Sequence, residues 1–531
     1  MNSARLGWAA LALTALASSL RAQEVSHQDC SFELDGKGFE SFFHDIDGDG
    51  RHELVTTLLS AKSGRREIQL RSMDDADRYP AQAQQTIEVL PDVVAWALAD
   101  VRSEPGPELV FLTRTGAFSY SLALDGYRGN IQRMLKAEML LDVPDPKDLP
   151  RWRYVVPAKG GDRLLLPLHD GLSVWRPKLA TDPEEALPYQ LDELLAPIVD
   201  TDEDSPRRTR QGGNRSVSFS IGVGGKDLPT LIPEQPLNHG TLLNVSIGYP
   251  APALADVTGN GQQDMLFMEN RELRTHLSAV GASRTAPRVD PLPDYLRSAE
   301  DDVAIDASLV DVDADGDVDL IVRVAADSDG LENRNVDLLV LRNHGGRLLP
   351  DKPDQVLRFQ AAELRFAVKD LNADGKPDLL IRKFEMPSMM EVATGLEFRS
   401  STLVYFGEGK RPQGPVFERK PSVKELRVYD ADSLGQAIGR RRMSLDASGD
   451  GLVDEIEVTL DGRIEIRRLL KDSSFFGGDS WKLEETAWRS FDVFGDISDL
   501  SIEDVNGDRI ADILSSSADS VTVLISRKRK Q

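Results

Sequence analysis

The sequence predicts an all-β chain folded as a β-propeller of four-stranded antiparallel blades, eight in number, with seven as the alternative count. Three observations predict this. A nine-residue acidic loop recurs seven times. Each copy lies between two apolar, strand-like segments. The spacing of the copies suits one four-stranded unit each.

The loops open at Asp45, Asp100, Asp256, Asp311, Asp370, Asp446 and Asp504. Their fifth positions are Asp49, Glu104, Asn260, Asp315, Asp374, Asp450 and Asp508, and their ninth are Glu53, Glu108, Asp264, Asp319, Asp378, Asp454 and Asp512. The third position varies: Asp47, Arg102, Thr258, Asp313, Asn372, Ser448 and Asn506. Glycine fills the sixth position at Gly50, Gly261, Gly316, Gly375 and Gly451. Glycine there permits the positive φ of a sharp turn, which lets the oxygens at positions one, three and five converge. Calcium takes about 6–8 oxygen ligands at about 2.3–2.6 Å and tolerates irregular geometry, whereas magnesium prefers a rigid octahedron with several waters. The predicted cofactor is therefore Ca2+, several ions per chain.

An EF-hand needs a glutamate at loop position 12 and flanking helices. Here that position holds Thr56 or Val322, and the residues after the loops are strand-like, as in Leu320-Ile321-Val322 and Leu379-Leu380-Ile381. A single acidic turn can be a solvated loop, since Asp, Asn and Gly are common turn formers. Seven copies in one register are not explained that way. The Asp256 loop, with Asp256, Asp264, Asn260 and Thr258, is expected to bind most weakly. In the Asp100 loop the Arg102 guanidinium is expected to replace the metal and pair with Asp100, Glu104 or Glu108.

Around each loop the order of segments repeats. An apolar strand such as Ser308-Leu309-Val310 ends at the loop, and a second strand follows it. Third strands are read at 337–341, 402–406, 463–466 and 521–525, and a less regular fourth precedes the next copy. Opening aspartates stand 55, 55, 59, 76 and 58 residues apart (45 to 100, 256 to 311, 311 to 370, 370 to 446, 446 to 504). The interval from 100 to 256 is too long for one blade. Within it, Trp152–Val156, Arg163–Leu166 and Gly171–Trp175 repeat the strand order, with Gly160-Gly161-Asp162 at the loop position. This predicts a degenerate blade at about 140–176 that has lost its metal. Residues 177–250 are then an insertion holding a β-hairpin.

These residues resemble the FG-GAP/VCBS repeats of secreted bacterial proteins and integrin α-subunit propellers. The likeness lies in the D-x-[DN]-x-[DN]-G-x-x-D loop, the flanking strands and endings such as Val404-Tyr405-Phe406-Gly407, and it covers most of residues 30–526. The resemblance implies that each loop joins two strands of one blade and holds calcium. Carried over, the implied ligands are Asp45, Asp47, Asp49 and Glu53, then Asp256, Asn260 and Asp264, and then Asp311, Asp313, Asp315 and Asp319. They continue with Asp370, Asn372, Asp374 and Asp378, with Asp446, Ser448, Asp450 and Asp454, and with Asp504, Asn506, Asp508 and Asp512. Arg102, the missing loop near Asp162, and glutamate at residues 53 and 108 depart from the pattern.

The apolar run from Leu6 to Leu20, flanked by Arg5 and Arg21, reads as a secretory signal over residues 1–22, with a single propeller over 23–531 and a secreted, periplasmic or cell-surface location. A retained anchor is the alternative. No other segment reaches spanning length, so no membrane span is expected after cleavage. Cys30 is the only cysteine, which excludes an internal disulfide. The net charge is −25, and losing Arg5 and Arg21 makes it −27. So acidic a chain is not expected to bind nucleic acid. The closing run Arg527-Lys528-Arg529-Lys530 reads as a solvated tail. Propeller closure predicts that Ile510–Ile525 lies beside a strand near Ser31–Leu34.

Signatures of metallopeptidases, serine hydrolases and phosphate-binding loops are absent, and the seven histidines are scattered. Trp96, Trp152, Trp175, Trp481 and Trp488 read as blade core or rim. Two functions remain open. One is a non-catalytic, calcium-stabilised scaffold that binds a protein or a polysaccharide. The other is a polysaccharide-active, lyase-like enzyme on the same scaffold.

Overall fold

Strands with both faces covered are apolar along their whole length rather than at alternate positions. The segment Glu108–Thr113 is buried at every residue, and Glu53–Ser60 at all but one. Each is the second strand of a sheet, flanked by strands on both edges and by neighbouring sheets on both faces. The computed structural model describes residues 25–528 apart from 123–125, 142–145, 159, 169–170, 180–186, 196–197, 200–217, 220–246, 249–252, 270–271, 278–286, 297–302, 327–331, 388–396, 410–413, 430–440, 460, 475–477 and 494–498. The expected signal at 1–22 and most of the expected insertion lie outside the described residues.

The chain is an all-β, eight-bladed propeller. Blade 5 shows the unit: Val303–Val310, Asp319–Ala326, Arg334–Leu341 and Gln355–Ala361, each antiparallel to the one before. The same meander recurs over residues 36–89, 93–135, 155–195, 253–291, 363–429 and 441–492. Blade 8 is made from both ends of the chain. Asp499–Glu503, Asp512–Ser516 and Ser520–Lys528 are completed by Val25–Asp29, and Phe32–Glu33 also pairs with the last strand. Closure thus involves the expected N-terminal region, with the main partner strand a few residues earlier. Arg527 and Lys528 belong to that closing strand rather than to a solvated tail. Arg527 pairs with Asp77 at 3.6 Å, and Lys528 donates from Nζ to the Asp508 carbonyl at 2.6 Å.

Period-two alternation sends consecutive side chains into different inter-blade seams. Leu54 packs between blades 8 and 1, and Val55 between blades 1 and 2. Leu320 and Val322 face blade 4, while Ile321 faces blade 6. Ile513 meets blade 7, and Leu514 meets blade 1. A hydrophobic cluster fills every seam of the ring, including the one that joins the two chain ends. The core is therefore distributed around the circle.

Three features lie beyond the expected pattern. The third blade's fourth strand is Tyr189–Leu195, past the boundary expected at 176. A hairpin of Leu469–Ser474 and Gly478–Leu483 is inserted before the fourth strand of blade 7. It sets Trp481 edge-on to Phe406 of blade 6, with centroids 5.0 Å apart. The seam between blades 6 and 7 also buries charges. Arg427 reaches Glu455 at 2.6 Å and also holds Glu457, Arg441 reaches Glu457 at 3.1 Å, and Arg382 lies 3.6 Å from Glu455.

Candidate metal loops on one face of the propeller

Each acidic loop joins the first strand of a blade to the second: position one follows the first strand, and the position-nine residue begins the second in every loop but the Asp446 loop, where Glu455 does. Two backbone features set the turn. Position six has positive φ at Gly50 (84°), Gly261 (78°), Gly316 (92°), Gly375 (82°) and Gly451 (91°), and at Arg509 (68°) in the last loop. Position four is also left-handed, at Gly48, Gly259, Gly449 and Gly507, and at the non-glycine residues Ala314 (60°) and Ala373 (59°).

The position-one carboxylate anchors the loop from inside. Asp45 accepts the Gly48 and Gly50 N–H groups at 2.8 and 3.0 Å. Asp311 accepts from Asp315 and Gly316, Asp370 from Asp374 and Gly375, and Asp504 from Gly507, Asp508 and Arg509. Asp256 and Asp446 do the same in their loops. Position five accepts from position seven, as in Asp49 from Arg51 at 2.7 Å and Asp508 from Ile510 at 2.8 Å.

The position-nine carboxylate closes the loop at its base. In all seven loops it accepts the N–H of position two, at 2.8–3.1 Å: Ile46, Val101, Val257, Val312, Leu371, Ala447 and Val505. Position two is an apolar residue buried in a seam in every loop. This locks the loop to the core. Sequence reasoning missed the latch, although an apolar residue at position two of all seven copies signals it.

These carboxylates come together as expected in two loops above all. Oxygens of Asp45, Asp47 and Asp49 lie within 4.8 Å of one another, as do those of Asp311, Asp313 and Asp315. That span matches oxygens around one cation at about 2.3–2.6 Å. At position three, Asn372 and Asn506 accept the N–H of position five through Oδ1, and Ser448 Oγ lies 3.5 Å from Asp446. The donor set is hard, anionic and all oxygen, and it fits a divalent cation of calcium's preferences.

Burial and like charge act on the latch carboxylates. Desolvation first, and then the neighbouring loop aspartates, push Glu53, Asp319 and Asp454 up to about 7 and Asp378 to about 6. Burial and Asp508 raise Asp512 to about 7. Free carboxyls in the unfolded chain titrate near 4. Between about pH 4 and 7 the folded metal-free chain therefore holds protons that the unfolded chain has lost. Its stability falls as pH rises through that window. In chelator, the melting temperature should be higher at pH 5 than at pH 8, and differential scanning calorimetry at both values checks this. A bound cation favours the charged forms, so added calcium should stabilise more at pH 8.

The Asp100 loop departs from expectation in a specific way. The Arg102 guanidinium does not sit among Asp100, Glu104 and Glu108. It donates to Ser119 Oγ (2.9 Å) and the Ser119 carbonyl (2.6 Å), and to Asn130 Oδ1 (3.1 Å) and the Asn130 carbonyl (2.8 Å). It thus staples the third strand of blade 2 to the turn before the fourth. Four bonds to Ser119 and Asn130 thus hold the guanidinium away from the loop carboxylates. Arg102→Ala should destabilise by about 1–3 kcal/mol in urea unfolding, and Arg102→Asp should gain no calcium in calorimetry. In the degenerate blade, Asp162 replaces the loop with a pair of bonds to the blade-2 loop. Its carboxylate accepts the Asp100 N–H at 2.9 Å, and its own N–H donates to the Asp100 carbonyl at 2.6 Å.

Neighbouring loops touch in the same manner elsewhere. The position-eight N–H of one loop donates to the position-one or position-two carbonyl of the loop before it. The pairs are Val453 to Leu371 (3.1 Å), Ala511 to Asp446 (2.6 Å) and His52 to Val505 (3.0 Å). The loops therefore share one face of the ring. His44 precedes the first loop, and His52 is its position eight. His52 Nδ1 lies 3.6 Å from Glu503, and burial depresses His44.

No family model matches the chain, and no curated protein matches it. Among solved structures it is similar to an Agrocybe aegerita lectin that recognises non-reducing terminal N-acetylglucosamine, at 14% identity over 52% of this chain and 80% of that one, TM-score 0.24. It is similar to the BBS1 N-terminal region in complex with ARL6, at 9% identity over 96% and 99%, TM-score 0.31. It is also similar to the Saccharomyces cerevisiae core factor, at 7% identity over 98% and 64%, TM-score 0.34. At these scores the likenesses carry no functional argument. No helix among the described residues is long and apolar enough to cross a membrane.

Proposed function

We propose that this chain is an exported, calcium-stabilised propeller of the FG-GAP/VCBS type that acts as a non-catalytic scaffold for binding a protein or a carbohydrate. The observation that supports it most is the shared construction of six loops on one face. In each, position one gathers the loop's N–H groups and position nine latches the loop to the core, which turns the oxygens of the alternate positions toward one another, most closely in the Asp45 and Asp311 loops. Bound calcium would be held by Asp45, Asp47, Asp49 and Glu53, by Asp311, Asp313, Asp315 and Asp319, and by their counterparts in the Asp256, Asp370, Asp446 and Asp504 loops. It would neutralise like charges that now repel. The cost of gathering those carboxylates is consistent with a role that requires the ion. The apolar run before residue 22 supports export, where calcium is abundant.

The test is a binding screen of the immobilised full chain against soluble polysaccharides and extracellular proteins, in calcium and in chelator. Saturable binding that chelation abolishes, with the ligand recovered intact, is the expected result. Conversion of any polysaccharide to unsaturated product would contradict the non-catalytic reading, and binding indifferent to chelation would contradict the role of the ion.

A further inference from the structure

The first acidic loop differs from the others in what lies beside it. A cavity of about 320 Å³ opens between blades 1 and 2, and Asp47 and Glu53 form part of its wall. The apolar part of its lining is Ile46, Leu70 and Leu122. Ser72, Gln85 and Arg128 complete the polar side. That volume lies at the low end of the roughly 300–1,000 Å³ usual for small-ligand pockets, so it suits one monomer unit rather than a run of polymer.

Three details give the cavity its chemistry. Position nine of this loop is glutamate, one methylene longer than the usual aspartate. Its Oε2 accepts the Ile46 N–H at 2.9 Å. In the Asp319, Asp378 and Asp512 loops the second carboxylate oxygen is taken by a backbone N–H near the end of the third strand, from Asn343, Gly407 or Ser526. The register of blade 1 puts Met73 at that place, and beside it the Ser72 N–H donates to the Gln84 side chain. Glu53 is a buried carboxylate that also lines the cavity. Arg128 also lines the cavity, is exposed and forms no ion pair among the described residues. Gln85 Oε1 accepts the Tyr127 N–H at 3.3 Å, which holds that amide at the wall.

We infer that this cavity binds a single acidic sugar unit, with its carboxylate toward Arg128 and its hydroxyls toward the amide, the serine and the cation side of the loop. The inference rests on the calcium reading of the Asp45 loop. Arg128 offers a planar, permanently charged fork matched to a carboxylate. A cation held by Asp45, Asp47 and Asp49 adds a second positive centre within reach of the same ligand. The amide and hydroxyl can each donate and accept, as sugar hydroxyls require. The apolar lining suits the C–H face of a pyranose ring.

Isothermal titration of the full chain with sodium D-glucuronate, in calcium and in chelator, tests this alongside a calcium melting curve. One-site binding is expected in calcium, on the order of tenfold or more weaker with D-glucose or in chelator. Arg128→Gln should weaken glucuronate by about 10–100-fold while leaving the calcium-induced melting shift unchanged. Asp47→Asn should weaken both glucuronate binding and one calcium site. A normal calcium shift with no glucuronate heat would overturn the cavity proposal alone. No calcium shift at all would overturn the loop reading, and this proposal with it. Equal binding of glucose, wild-type affinity in Arg128→Gln, or binding of an acidic peptide in place of glucuronate would overturn the acidic-sugar assignment.

Discussion

Chelating divalent cations should lower the melting temperature by on the order of 10 °C or more without unfolding the chain at room temperature. A ligand that binds only the folded state stabilises by about 2.7 kcal/mol per site when its free concentration is a hundredfold above the dissociation constant. Several loops add such contributions. Six position-one and five raised position-nine carboxylates sit beside like charges, so removing the ion also restores their repulsion. The fold should survive because every seam has its own apolar cluster. Far-ultraviolet circular dichroism that keeps its strand signature in chelator, with a lowered melting temperature, is the expected result. Identical melting curves with and without calcium would contradict it.

Replacing Glu455 by alanine should destabilise the protein by about 3–5 kcal/mol, the usual cost of removing one partner from a buried ion pair. Glu455 is fully buried between blades 6 and 7 and faces Arg427 at 2.6 Å and Arg382 at 3.6 Å. Burial already pulls Arg382 down to about 10. Without Glu455, Arg427 keeps Glu425 and Glu457, but Arg382 is left, among the described residues, with the Arg441 carbonyl. Urea unfolding of Glu455→Ala against Glu363→Ala, an exposed pair with Arg365, separates the cases. The surface change should cost less than about 1 kcal/mol. Equal small effects would show that the buried cluster is solvated enough to be dispensable.

The blade unit was legible because two periodicities reinforce each other. The nine-residue acidic pattern marks each first turn, and the apolar runs after it mark strands covered on both faces. The second-strand start was read correctly at Asp319, Asp378 and Asp512 because the position-nine carboxylate sits at the junction. The degenerate third blade was read from strand order alone, but its fourth strand was not. Tyr189–Leu195 follows a proline and glutamate-rich stretch that looks like the start of an insertion. The hairpin at Leu469–Leu483 was hidden because its polar residues resemble an ordinary outer strand.

In the loops, carboxylate convergence followed from spacing, yet the left-handed turn at position four did not. Four copies have glycine there, but Ala314 and Ala373 mask the rule, since L residues rarely adopt that conformation. Arg102 was misplaced because charge alone nominated the nearby carboxylates. The carbonyls that hold it instead belong to Ser119 and Asn130, whose approach depends on the blade hairpin and has no local signature. The cavity beside Glu53 was unreadable for the same reason: its walls come from two blades and from residues up to 82 positions apart (46 to 128).

The most direct test is elemental analysis of the purified chain after equilibration in calcium and removal of free ion. Six bound calcium ions are predicted, one for each loop except the Asp100 loop and none at the degenerate blade, with the Asp256 loop the first to empty on dilution. A chain that retains no calcium, or that holds the ion equally well after Asp45, Asp311, Asp370, Asp446 and Asp504 are all changed to asparagine, would contradict the account.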